Sequence, residues 1–206
     1  MRRPRADEHL EYYRTPVGGE VLLAEVELLV DLLPPYGRVL SLGCGVGVHE
    51  VSLASRRPRM DLVCSDLQDE MLVEVPEGLQ RVAADMTALP FADGCFDAVY
   101  EVTALVFVPD PERALEEMAR VLRPGGLMVL LSLNPVSQWG RDRLRQLPAP
   151  WGSLEGLVAL VEAATGGTVG VDHALNLEDP EVLRASTDLD DAALLVITSR
   201  KASDLS

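Results

Sequence analysis

Three glycines at alternate positions, Gly43, Gly45 and Gly47, follow the apolar run RVLSL (38–42) and precede a helical stretch that extends to about residue 56. Glycine at such a turn lets the backbone bend tightly and lets a ligand approach main-chain N–H groups, while the helix behind offers its positive end to a carboxylate or phosphate. Asp66 stands 19 residues beyond Gly47, at the end of a second apolar run, where a carboxylate can accept hydrogen bonds from ribose hydroxyls. This pattern describes a nucleoside site, with a tight turn that holds no ligand as its bland alternative.

The loop alone suits NAD, FAD or S-adenosylmethionine, but its details discriminate. The dinucleotide fingerprint GxGxxG needs glycine at position 48, where the chain has Val48. A phosphate-binding P-loop needs a lysine, and the chain's single lysine is Lys201. An NAD-linked reductase is therefore disfavoured. Cys44, Cys64 and Cys95 form no CxxC pair to hold zinc or run a redox couple, so they read as small core side chains of a reducing, cytoplasmic protein, and no metal site is expected.

The elements that must position these residues alternate in kind. An apolar stripe of Leu22, Val26, Leu29 and Leu33, opposed by Glu20, Glu25 and Glu27, predicts a helix over 15–33 that ends at Pro34. Strands are predicted over 38–42, 61–65, 79–83, 95–101 and 127–133, with helices over 69–75 and 111–122, the latter capped by Asp110 with Pro111 at its first position. LMVLLSL (127–133) is apolar on both faces, as in the middle of a parallel sheet covered by helices on both sides. A helix over 153–164 and closing strands over 168–175 and 192–199 complete the chain. The expectation is a doubly wound, mostly parallel α/β sheet of seven strands with helices on both faces. It forms one domain: a helical cap over 1–36, a cofactor-binding core over 37–133, and a substrate-side region with closing strands over 134–206.

Charge and composition exclude other classes. With 48% hydrophobic residues the chain can bury a core, and 18 basic against 33 acidic side chains give −15, a poor surface for displacing counterions from nucleic acid. The polar N-terminus has no apolar stretch of a secretory signal, and the longest apolar runs are about a third of the ~20 residues that cross a bilayer.

Four blocks, in order, resemble the class I S-adenosylmethionine-dependent methyltransferases of the small, ubiquinone-biosynthesis-like type. They are VLSLGCGVG (39–47), CSDLQDEML (64–72), AADMTALPFADGCFDAVYEV (83–102) and DPERALEEMARVLRPGGLMVL (110–130). The resemblance implies that Gly43, Cys44 and Gly45 pass beneath the methionine part of S-adenosylmethionine, with Leu42 before them also among the cofactor-binding residues, and that Asp66 binds its ribose. It implies that Leu67 covers an adenine face, that Asp85 takes the adenine amine beside a main-chain donor at Met86, and that Glu101 and Val102 line the sulfonium end. For Asp85 a local cap before Met86 is the alternative. The product would be S-adenosylhomocysteine and the partner a small-molecule acceptor, with a monomer or homodimer equally compatible.

Three positions depart from the family pattern. Ser41 stands where an acidic residue usually helps anchor the cofactor's amino group, Val46 replaces a threonine or serine, and TALVFV (103–108) replaces a histidine pair after the fourth strand. These departures motivate a rival reading, a cofactor-binding relative without transferase activity that serves as a partner subunit. Methyl transfer itself is an in-line displacement on an activated sulfonium, which needs alignment more than a base. Candidate bases are few: Glu101 by topology and Tyr13, with Tyr12, from the N-terminal segment. His9, His49 and His173 read as structural or solvated. The arginines at 56, 57 and 59 read as a solvated face, and those at 141, 143 and 145 would favour an anionic acceptor if they lined its entrance.

Overall fold

A computed structural model describes residues 5–145, 151–176 and 192–203. Seven strands, β1 (Gly37–Leu42), β2 (Met60–Asp66), β3 (Gln80–Ala83), β4 (Phe96–Val102), β5 (Leu122–Leu133), β6 (Val169–Asn176) and β7 (Ala192–Arg200), form one sheet in the order β3-β2-β1-β4-β5-β7-β6. The first five run parallel, while β7 is antiparallel to both β5 and β6, so the expected sheet is present as a mixed one. Strand order reverses between β1 and β4, which opens a crevice beyond their carboxyl ends.

Alternation along the central strands builds two cores. Leu40, Val99 and Met128 face one side and pack with Leu115 and Met118 of α5 (Pro111–Val121) and Leu157 and Val161 of α7 (Leu154–Thr165). Their sequence neighbours Val39, Ala98 and Val129 face the other, with Val21, Ala24 and Leu29 of α2 (Pro16–Leu32) and Leu53 of α3 (Val48–Arg56). The period-2 pleat thus explains why these strands read as continuous apolar runs.

The N-terminal segment folds as two helices rather than one. α1 (Ala6–Arg14) precedes α2, and Thr15 between them accepts the Gly18 amide on its hydroxyl at 3.0 Å, with Pro16 opening the second helix. α4 (Asp69–Glu74) follows β2 as expected. α6 (Gln138–Leu144) lies in a stretch whose polarity and prolines gave no helical signal; Gln138 and Asp142, 2.9 Å apart, bridge one turn of it. Strand β5 extends back to Leu122, across Pro124-Gly125-Gly126, by a register shift against Phe96 and Ala98.

Candidate functional site

The loop after β1 is a sequence of left-handed turns, and two of its glycines are sterically required. A Cβ on Gly43 (φ +66°) would meet the Ala104 methyl at 2.4 Å and Met86 Cε at 2.9 Å; one on Gly45 (φ +55°) would meet the His9 ring at 2.5 Å. The loop is stitched to β2: the Cys44 amide donates to the Ser65 carbonyl at 3.0 Å and the Gly45 amide to Asp66 Oδ2 at 2.9 Å. Asp66 Oδ1 accepts the Gln68 amide at 2.9 Å, so the carboxylate is held in one orientation with a lone pair on each oxygen still available.

Over this loop lies a cavity of about 300 Å³. It gathers six of the sequence candidates, Gly43, Gly45, Asp66, Leu67, Asp85 and Met86, onto its wall. Asp85 Oδ1 accepts the Thr87 amide and hydroxyl, both at 2.8 Å, which fixes the turn that carries Met86. The rest of the wall comes from the end of β4 and the turn after it and is mostly apolar: Val102, Ala104, Phe107, Val108 and Pro109, with Thr103 and Asp110 as its polar members. The chain bends there at Thr103, a left-handed non-glycine residue with φ 49°.

Leu42, Cys44, Glu101 and Tyr13 are not on that wall. Leu42 is in the core, and Cys44 packs with Cys64, Leu72 and Val75, its thiol pushed up by the Cys64 hydrogen bond and by burial. Glu101 is fully buried; its Oε2 accepts the Ala104 and Leu105 amides at 2.6 and 3.0 Å and clamps the turn after β4, while Oε1 has no partner. Burial pushes its pKa up to about 7, against the pull of those two amides. Tyr13 sits edge-on to His49 with ring centroids 5.5 Å apart, and burial together with Glu25 raises its phenol well above the usual range, so it is no base.

The residue on the wall that sequence reasoning set aside is His9. It reaches down from α1 onto Gly45, packs 5.2 Å from the Tyr13 ring, and has a buried Nδ1 without a partner. Burial, then the nearby His49, lowers its pKa against the attraction of Asp66, so the ring is neutral. The available signal was the i, i+4 spacing of His9 and Tyr13, which puts both rings on one face of a helix. His49 instead holds Glu25 at 2.8 Å; burial works against its charged form, but Glu25 and Glu50 outweigh it and raise its pKa.

Four of the six clustered arginines have contacts away from the cavity, and the side chain of Arg143 lies outside the described residues. Arg57 donates to the Val30 carbonyl at 2.7 Å and Arg59 lies over the Tyr36 ring. Arg141 bonds the Val136 carbonyl and Gln138, and Arg145 pairs with Asp142 at 3.2 Å. His173 lies on β6, away from the cavity. Among the described residues no helix is long and apolar enough to cross a membrane.

The geometry is matched by similarity to known proteins. The family model described as a methyltransferase domain matches residues 40–130, which run from the end of β1 into β5. The chain is 30% identical over 181 residues to the 2-methyl-6-phytyl-1,4-hydroquinone methyltransferase of Synechocystis, covering 75% of this chain and 57% of that one. It is 42% identical over 103 residues to the demethylmenaquinone methyltransferase of Mycolicibacterium vanbaalenii, covering 50% of this chain and 44% of that one. The chain spans about half the length of the curated relatives it matches. Among solved structures, a Thermotoga maritima protein described as a SAM-dependent methyltransferase, possible histamine N-methyltransferase, superposes with a TM-score of 0.80 at 25% identity, covering 95% of each chain. With the glycine cradle, the acid at the end of β2 and the matched core on one sheet, the chain belongs to the class I S-adenosylmethionine-dependent methyltransferase family.

Proposed function

We propose that the protein is a methyltransferase that uses S-adenosylmethionine and acts on a small, uncharged and largely apolar acceptor. The observation that carries the cofactor assignment is the joint presence of Gly43, Gly45, Asp66, Asp85 and Met86 on one cavity wall. The residues fit the group: the cradle has no room for a Cβ at Gly43 or Gly45, and Asp66 is pre-oriented as an acceptor for vicinal hydroxyls. Leu67, half exposed, offers an apolar face beside Asp66 for a flat base, and Asp85 offers an acceptor for its amine. When bound, the cofactor supplies an electrophilic methyl group on a positively charged sulfur.

The chain's own residues then align, enclose and dry the reaction. The apolar wall from Val102 to Pro109 takes the acceptor, and the His9 ring closes the roof. His9 is the neutral nitrogen base on the described wall, available to receive a proton released by an oxygen or nitrogen nucleophile. The described wall carries no arginine or lysine, which favours an acceptor without a negative charge.

Calorimetric titration with S-adenosylmethionine and S-adenosylhomocysteine, with NADH as control, tests the cofactor. Micromolar binding of the first two, weakened roughly tenfold to a hundredfold by Asp66→Ala, is expected. Binding of NADH alone, or of none of the three, overturns the reading. Transfer of labelled methyl to neutral rather than anionic compounds in metabolite extracts tests the acceptor class.

A further inference from the structure

Beneath α1, one aromatic layer behind the His9 wall of the cavity, lies a buried polar cluster whose charges do not balance. Glu25 and Glu50 are 3% and 1% exposed, and the cation among their partners is His49, which is bonded to Glu25. Glu50 reaches from the first turn of α3 to the end of β1. Its Oε1 accepts the Ser41 hydroxyl at 2.6 Å and the Tyr100 hydroxyl at 2.7 Å, and its Oε2 is buried with no partner. Two neutral donors on one oxygen, with His49 nearby but bonded to Glu25, leave the second oxygen of this buried carboxylate unanswered, which is costly.

Glu50 is not itself on the described cavity wall, but its partner Ser41 belongs to the strand that delivers the glycine loop to that wall. Ser41 lies two residues before Gly43, and Ser41 and Tyr100 are register partners on β1 and β4, at the crevice where strand order reverses. The Glu50 carboxylate therefore meets the side chain at position 41 directly, delivered from the helix instead of the strand. We propose that Glu50 is the binding residue for the ammonium group of the cofactor's amino-acid end, replacing from α3 the negative charge that Ser41 does not carry. This rests on the cofactor reading above and adds to it the residue that compensates for Ser41. α1, which buries no residue fully, covers both regions, with His9 over the cavity and Tyr13 against His49.

The test is a cycle between protein and ligand, read by calorimetry. The probes are S-adenosylhomocysteine and its deamino analogue, in which hydrogen replaces the amine. The native protein should prefer the amine-bearing ligand about tenfold or more, as for a hydrogen bond between charged groups. Glu50→Gln, which keeps an oxygen for Ser41 and Tyr100, should bind the two probes within about twofold of each other. The double variant Ser41→Asp, Glu50→Gln returns a carboxylate to the same cluster and should restore the preference. No preference in the native protein, or an undiminished one in Glu50→Gln, overturns the proposal while leaving the cofactor assignment intact. Failure of the native protein to bind either probe is instead a failure of the cofactor reading.

Discussion

Two glutamates buried on opposite faces of the sheet meet the same desolvation problem in opposite ways. Glu117 on α5 is 3% exposed, and both its oxygens are answered: Arg120 donates at 2.7 and 2.8 Å, Arg113 at 3.3 Å and the Leu89 amide at 2.8 Å. Arg120 and those other donors hold its pKa below the usual range. Glu50 on α3 is equally buried and has one oxygen unanswered. Glu101 lies between these extremes, one oxygen clamping the turn after β4 and the other bare. A carboxylate whose partners are all internal ties elements together. One left incomplete costs stability until something answers it, which is the trade expected of a functional group.

The pH dependence of folding should expose this cost most strongly at Glu101. Its pKa rises from 4.5 to about 7 on folding, so the native state holds a proton that the unfolded chain has lost. Stability from this group is fully present below about pH 4.5 and is lost as pH rises through about 7, a decline of about 3 kcal/mol. Denaturant unfolding between pH 5 and 8 should show this fall in the native protein and a flatter profile in Glu101→Gln. Parallel profiles would mean that Glu101 is as well solvated as a surface acid.

The other side of the comparison is tested at Arg120. Besides Glu117, its guanidinium bonds Asp93 at 2.7 Å and the carbonyls of Phe91 and Leu89 at 2.8 and 2.9 Å, pinning the segment before β4 to α5. Arg120→Ala should lower stability by about 2 kcal/mol, less than for a fully enclosed pair because the side chain is 30% exposed. The affinity for S-adenosylhomocysteine should stay within about twofold. A large loss of affinity would show that this network also sets the nearby Asp85–Thr87 turn, and would blur the distinction between binding and bracing carboxylates.

How much of this was legible depends on how local the signal was. The strands from β1 to β5 and the helices between them are written in short apolar runs and caps such as Asp110-Pro111, which act within a few residues of themselves. The glycine cradle and Asp66 were legible for the same reason, since φ above zero and a strand-end acid are local demands. α6 was not, because its polar sequence carries no apolar stripe. The roles of His9 and Glu50 were hidden for a different reason. Each is defined by a tertiary contact, His9 by Gly45 and Glu50 by Ser41 and Tyr100, and no periodicity records which face of a helix will meet a cavity. Glu101 was singled out by topology, but its carboxylate turned inward to the amides of Ala104 and Leu105, which strand position alone does not decide.

The smallest effect is expected at His9, where the binding side of the comparison is thinnest. α1 buries no residue fully, so His9→Ala should leave thermal stability nearly unchanged. Removing the ring opens the roof over Gly45 and should weaken S-adenosylmethionine binding about fivefold, close to 1 kcal/mol. The sign of the pH effect follows from the ring's neutrality. Burial, then His49, holds the His9 pKa below the usual imidazole value of 6.5, and a bound sulfonium would oppose its charging further, so the native protein should lose affinity as pH falls into the acid range below 6.5. The alanine variant should lose less over the same range. If instead both proteins bind equally at every pH, α1 is a brace for α2 and not a roof.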